Sequence, residues 1–255
     1  MIKNLLITLF ITVMATTAMA TSIDHTDMNI PQAEVRWSDD LPGQILLIQD
    51  QLGWGYNTHV DILNESGIPY DIISSSSIAD HDFSAYDKII TAGQQPDYFY
   101  ENIESNRVKF EDYMFAGGCC SFITANLFGQ YNELMAWPGG FTPVISDGED
   151  DITFDDPYSC LLDGVDISSL QYWSYSSHGV HENLPAGYMS ILSAPSGSCA
   201  GWFSWGAGGA FVAHMPIEWG SMMAPEFCYN FDICIGEGIV PTASESLDSI
   251  KALYR

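Results

Sequence analysis

Four short apolar runs punctuate the first half of the chain: Ile45-Leu46-Leu47-Ile48, Tyr70 to Ile73, Lys88 to Ala92, and Cys119 to Ala125. Unbroken runs of this kind belong to strands buried on both faces. Between the first two, Asn57 to Ser66 carries Val60, Ile62 and Leu63 and stops at Gly67, a natural residue for a helix C-terminus. A longer helix is predicted over about Phe99 to Phe115, with Val108, Phe110, Tyr113 and Met114 on or near one face and Gly117-Gly118 as its stop. Crossovers of this length join parallel strands, and a parallel sheet needs helices on both faces. The expected class is α/β, a three-layer domain with a mainly parallel central sheet.

The second half reads differently. Trp137 to Pro157 suggests short strands broken by Gly, Pro and acidic turns. Tyr188 to Leu192, Gly201 to Trp205 and Ala210 to His214 are expected strands, the last two joined by the turn Gly206-Ala207-Gly208-Gly209. Such strands would add antiparallel β elements at one edge of the sheet. No internal repeat or Pro/Ser linker divides the chain, so one domain is expected over residues 43–235.

The chain ends are of another kind. Lys3, the apolar stretch Leu5 to Met14 and Ala18-Met19-Ala20 make residues 1–20 a signal peptide, too short for a membrane span. Residues 21–42 read as an irregular leader and 236–255 as a polar C-terminal tail. The expected location is therefore outside the cytoplasm, secreted or periplasmic at the cell exterior. Seven Lys and Arg against 33 Asp and Glu give an acidic surface. That surface repels nucleic acid and anionic membrane, because no basic patch can neutralise phosphates.

Six cysteines raise the question of disulfides. Cys228 and Cys234, six residues apart in CYNFDIC, are the expected pair. Cys119 and Cys120 are consecutive in a strand and so point to opposite faces. They cannot form one paired site, and in a chain this poor in positive charge burial or a disulfide is expected of them rather than catalysis.

Several polar clusters are candidate sites. Ser176-Ser177-His178-Gly179, with His181 and Glu182, is the densest. Adjacency of Ser and His is not a dyad, because the side chains must oppose each other and a third group must orient the base. His178, His181, His214 and Glu218 are competent metal ligands in type, but their spacing matches no zinc pattern, and loop ordering is the expectation for His178. Asp147, Glu149, Asp150 and Asp151, with Asp155 and Asp156, offer calcium-type oxygens without EF-hand spacing, so a solvated acidic loop is expected and no metal. Asp50 and Trp54, in the stretch Gln49 to Gly55 after the first strand, and Gln94 and Gln95 after the third, lie where open α/β sheets bind ligands. Neither a dinucleotide fingerprint nor a P-loop occurs, and no cofactor is expected.

Taken together, ILLIQD, LGWG, ESGIPYDII, FSAYDKIITAG and FEDYMFAGG, with WPGGFTPVISDGEDDITFDDPYSCLLDG, SSHGVHENLP and GAGGAFVAHMPIEWG, resemble the class I glutamine amidotransferase-like superfamily, flavodoxin-like in architecture. More narrowly, they are similar to its exported bacterial and archaeal branch. The resemblance spans about Gln44 to Gly220. It implies a nucleophile in G-x-C-x-G on a sharp turn after a strand, with a His and a Glu arriving later. The corresponding stretch here is Thr124-Ala125-Asn126-Leu127, with no Cys or Ser around Ala125. The expected function is thus a non-catalytic extracytoplasmic module that binds a glycan or a protein partner through Asp50, Trp54, Gln94, Gln95 and His178. Two alternatives stand beside it. One is a hydrolase of amide or ester bonds using Cys119 or Cys120 with His178 or His214. The other is calcium-dependent adhesion through the acidic loop.

Overall fold

The computed structural model describes residues 42–126, 131, 135–171, 176–219 and 224–236. Almost all of the expected signal peptide, leader and tail falls outside these residues, as does the elbow-region residue Leu127, and nothing is said of the side chain of Asp147. In chain order the elements are β1 (Ile45–Ile48), α1 (Thr58–Ser66), β2 (Tyr70–Ile73), β3 (Lys88–Thr91), α2 (Asp97–Ser105), α3 (Arg107–Phe115), β4 (Cys119–Ile123), β5 (Thr142–Glu149), β6 (Thr153–Phe154), β7 (Ser177–Glu182), β8 (Met189–Ala194), β9 (Gly197–Trp205), β10 (Gly208–Ala213) and α4 (Pro225–Ile233).

Eight strands form one sheet in the order β2-β1-β3-β4-β10-β9-β8-β6. The first five are parallel, and β9, β8 and β6 continue it antiparallel. A separate two-stranded sheet pairs β5 with β7. The architecture is α/β with a mainly parallel central sheet and an antiparallel extension.

Strand alternation divides the core between the two faces. Ile45, Leu47 and Cys119 pack with Ile62 and Leu63 of α1 and Phe227 and Phe231 of α4. Leu46, Ile48 and Cys120 pack with Phe99 and Ile103 of α2 and Phe110 and Met114 of α3. The two adjacent cysteines therefore lie in different cores, as their consecutive strand positions require.

Three readings are corrected. The single helix over Phe99 to Phe115 is two helices that meet at Asn106 (φ −107°, ψ 15°), whose side-chain amide donates to Asn102 O at 2.8 Å. This local bond competes with helix continuation, as Asn side chains commonly do. Val108 is not on the buried face: within α3 it stands about 200° around the helix from Phe110, so it faces solvent while Phe110, Tyr113 and Met114 are buried. The Cys228–Cys234 disulfide is absent, and all six cysteines are buried thiols, none bonded to another. Helix α4 explains this: Cys228 lies within it and Cys234 just beyond its end, and six residues of helical rise separate them by about 9 Å. A disulfide needs Cα atoms no more than about 7 Å apart.

Candidate functional site

Loops following β1, β3, β4 and β10 converge at the carboxyl edge of the sheet. The β1 loop is held by the β3 loop: Gln95 Oε1 accepts from the amides of Asp50 (2.8 Å) and Gln51 (3.0 Å), and Gln95 Nε2 donates to Gln51 O and Gly93 O. The Asp50 carboxylate accepts from the amide and the hydroxyl of Ser75. Asp50 and Gln95 thus clamp the loops, and their side chains are occupied by the chain itself. Gln94 has φ +48° and Trp54 φ +55°, left-handed conformations rare for side-chain-bearing residues and common where a loop is over-determined for a purpose.

Trp54 is half-buried and stacks on Trp219, with ring centroids 5.9 Å apart and planes at 14°. On its other side lies His178, at 4.9 Å. Tyr56 continues the aromatic rim, its hydroxyl accepting from Trp219 Nε1 at 3.0 Å. The sequence places Trp54 and His178 at this edge separately, and the fold brings them into contact. His178 and His181 are carried by β7, a strand where the sequence suggests a loop. The strand exists because β5 supplies its partner, with Val144 opposite Val180. Ser177 Oγ donates to Gly179 O and accepts from the Gly179 amide, so it orders its own strand rather than forming a dyad with His178.

Thr124, immediately after β4, stands between two imidazoles: its Oγ1 is 2.8 Å from His214 Nδ1 and 3.1 Å from His181 Nε2. Burial pushes His181 down to about 3 and His178 down to about 4. His214 also falls well below the usual range, from burial and from the two neighbouring histidines. All three are neutral at pH 7.

The stability consequence has a definite sign. Below about pH 6.5 the unfolded chain protonates its imidazoles while the buried ones stay neutral, so the unfolded state binds more protons. The contribution is complete above that pH and is lost as pH falls toward the folded values. Each such imidazole takes off about 1.4 kcal/mol per pH unit in that window. Urea unfolding between about pH 7 and pH 5, before most carboxylates titrate, is expected to show a steadily falling midpoint. A level midpoint would contradict neutral burial.

Glu218 does not join these histidines, nor do the four gather into the metal site that their residue types would allow. Its carboxylate is fully buried: Oε1 accepts from the Gly93 amide at 2.5 Å and lies 3.4 Å from His59 Nε2. The other nitrogen of His59, Nδ1, lies 2.9 Å from both oxygens of Asp232 on α4. Burial pulls the His59 pKa down, but Asp232 and Glu218 together outweigh it and raise it to about 10. Sequence reasoning alone misses His59, Thr124 and Asp232.

Cys119 and Cys120 sit at the opposite, amino-terminal end of β4, about 16 Å of strand from Thr124. His178 and His214 are not brought to them. Burial pushes the Cys119 thiol up to about 11 and Cys120 well above the usual range. Native alkylation at neutral pH is expected to label neither, and alkylation after non-reducing denaturation to label all six cysteines. Rapid native labelling of Cys119 or Cys120, or fewer than six reactive thiols in the denatured chain, would contradict this arrangement.

The acidic run is spread out. Glu149 Oε2 accepts from the Ser196 amide, Asp155 Oδ2 from the hydroxyls of Ser190 and Ser193, and Asp156 Oδ1 from the Tyr158 amide. Among the described residues it brings no three carboxylates within ligand distance of one another.

One pattern unites the carboxyl edge. Among the described residues, Trp54 Nε1, Thr91 Oγ1, Gln94 Oε1, His181 Nδ1, His214 Nε2 and Glu218 Oε2 are buried side-chain atoms with no hydrogen-bond partner. All six belong to residues at this one edge. Buried polar groups are ordinarily satisfied, by protein or by ordered water.

The fold has solved counterparts. A GMP synthase subunit-like protein from Thermoplasma acidophilum is similar over 83% of this chain and 98% of its own, with a TM-score of 0.53 and 13% identity. A glutamine amidotransferase from Thermotoga maritima covers 70% of this chain and 77% of its own at 14% identity and a TM-score of 0.49. A cytoplasmic protein from Salmonella typhimurium covers 74% and 97% at 11% identity, again with a TM-score of 0.49. At such identities the likeness is one of fold alone, an α/β architecture with a mainly parallel sheet. No protein-family model and no curated protein matches the sequence.

Proposed function

We propose that this chain is an exported, non-catalytic binding domain for a neutral carbohydrate, held at the carboxyl edge of the sheet. The observation that carries the reading is the gathering of six unsatisfied polar atoms at the carboxyl edge that also carries the Trp54, Trp219 and Tyr56 rings. The set mixes donors (the Trp54 indole N–H, the Thr91 hydroxyl) with acceptors (Gln94 Oε1, Glu218 Oε2), as the hydroxyls of a sugar require. It holds no lysine or arginine to pair with an anion, and an aromatic rim supplies a stacking face. Two further facts favour binding over catalysis. Thr124-Ala125-Asn126 offers neither Cys nor Ser, and Cys119 and Cys120 lie at the far end of β4. Export rests on the signal-like N-terminus together with the acidic composition. Among the described residues no helix is long and apolar enough to cross a membrane.

The test is thermal unfolding of the purified protein against a panel of neutral mono- and disaccharides. A binder at about 100 times its Kd adds about 2.7 kcal/mol and raises Tm by a few degrees, and Trp54→Ala is expected to abolish the rise. No shift with any sugar, or turnover of an amide or ester substrate lost in His178→Ala, would overturn the reading.

A further inference from the structure

We propose that His59, Cys228 and Asp232 form a zinc site, with Glu218 as the carboxylate that orients the His59 ring. The three donors come from two facing helices: His59 from α1, Cys228 and Asp232 from α4. Cys228 and Asp232 are four residues apart and so lie one turn above each other on the same helix face. One ligand atom from each of the three lies within 4.8 Å of the others, and all three residues are buried. A tetrahedral zinc with bonds of about 2.0–2.1 Å to nitrogen and oxygen holds those two donors about 3.3 Å apart. His59 Nδ1 and the Asp232 oxygens already stand at 2.9 Å.

The second nitrogen of His59 strengthens the case. Zinc-bound histidines almost always pass their other ring N–H to a carboxylate, which fixes tautomer and orientation. Here Nε2 faces Glu218 Oε1 at 3.4 Å. The other oxygen, Glu218 Oε2, is fully buried and has no partner among the described residues. Two carboxyl side chains and a thiol that can ionise on binding a metal thus surround one imidazole, a donor set that a divalent cation suits. Thiol with imidazole selects zinc over calcium or magnesium, which take oxygen ligands. Binding displaces one proton from the Cys228 sulfur and one from His59 Nδ1, both to solvent. Such a site pins α1 to α4 beneath the carboxyl-edge loops. It shares Glu218 with the sugar reading but is tested apart from it, because metal content is measured without any sugar.

The experiment uses the purified full chain, loaded with zinc and then with cobalt. One zinc per chain is expected, with a thiolate-to-cobalt charge-transfer band in the cobalt form. Cys228→Ala, a small change for a buried thiol, is expected to stay folded and lose both the metal and the band. Glu218→Gln is expected to weaken zinc affinity by about 10–100-fold while keeping the band. A folded chain that takes up no zinc, or binds cobalt without a thiolate band, would overturn the proposal, as would undiminished binding in Cys228→Ala. Should Cys228→Ala fail to fold, the stoichiometry and the cobalt band of the unsubstituted protein still decide.

Discussion

Lys88→Met is expected to lower the unfolding free energy by about 3 kcal/mol, read as a fall in the urea midpoint at unchanged slope. Lys88 opens β3 and is fully buried, yet no carboxylate is hydrogen-bonded to it among the described residues. Its ammonium donates instead to Phe231 O, at 2.6 Å, and to Cys234 O. These are carbonyls at the end of α4, where the helix leaves acceptors unmet and where its dipole favours a cation. Phe211 lies 5.4 Å below the charge. Methionine keeps most of the stem volume, so the substitution isolates the ammonium. Two charge-assisted bonds of about 1.5–3 kcal/mol each are lost, and the desolvation of a buried cation is regained in part. The loss prevails because Cys234 O is left without a strong donor, whereas Phe231 O keeps the Ser121 hydroxyl at 2.9 Å. A cost below about 1 kcal/mol would mean that the ammonium contributes no net stability there.

How far the sequence can be read follows from which physical signals are local. ILLI and KIIT announce two-sided burial by composition alone, and Gly67, at φ +70°, stops α1 as its lack of a side chain allows. The split of Cys119 and Cys120 between two cores needs only the period of a strand. What escapes is set by partners distant in sequence. SSHGVHE forms a strand because β5 lies beside it, some 35 residues upstream. A disulfide in CYNFDIC depends on whether that stretch is coiled or helical. The buried triad is half visible: His59 sits three and four residues before Ile62 and Leu63, on the apolar face of α1, and Cys228 and Asp232 share a face of an otherwise apolar helix. A histidine or an aspartate at a core position is the signal of a paired buried group. What no periodicity discloses is that Glu218, from a loop beyond β10, reaches the other nitrogen of His59.

The two glycines of LGWG are expected to respond differently to alanine. Gly55 has φ +82° and open space where a Cβ would stand. Gly55→Ala therefore costs only its backbone strain, about 1 kcal/mol. Gly53 is needed for room: a Cβ there would lie 2.5 Å from Glu218 Oε1 and 2.9 Å from its Cδ. That carboxylate cannot swing aside. Gly93 donates to it from its backbone, His59 faces it, and a Cβ built on Gly93 would itself come within 3.1 Å of both oxygens. Gly53→Ala must push either the β1 loop, with Trp54 on it, or the carboxylate and its partners. Overpacking of this kind costs about 2–3 kcal/mol. Urea unfolding of the two variants side by side measures the difference, and the Gly53 variant is also expected to lose zinc affinity while the Gly55 variant keeps it. Equal costs would show that Glu218 is free to yield, and the tight cluster at the carboxyl edge would then lose its claim to be pre-formed.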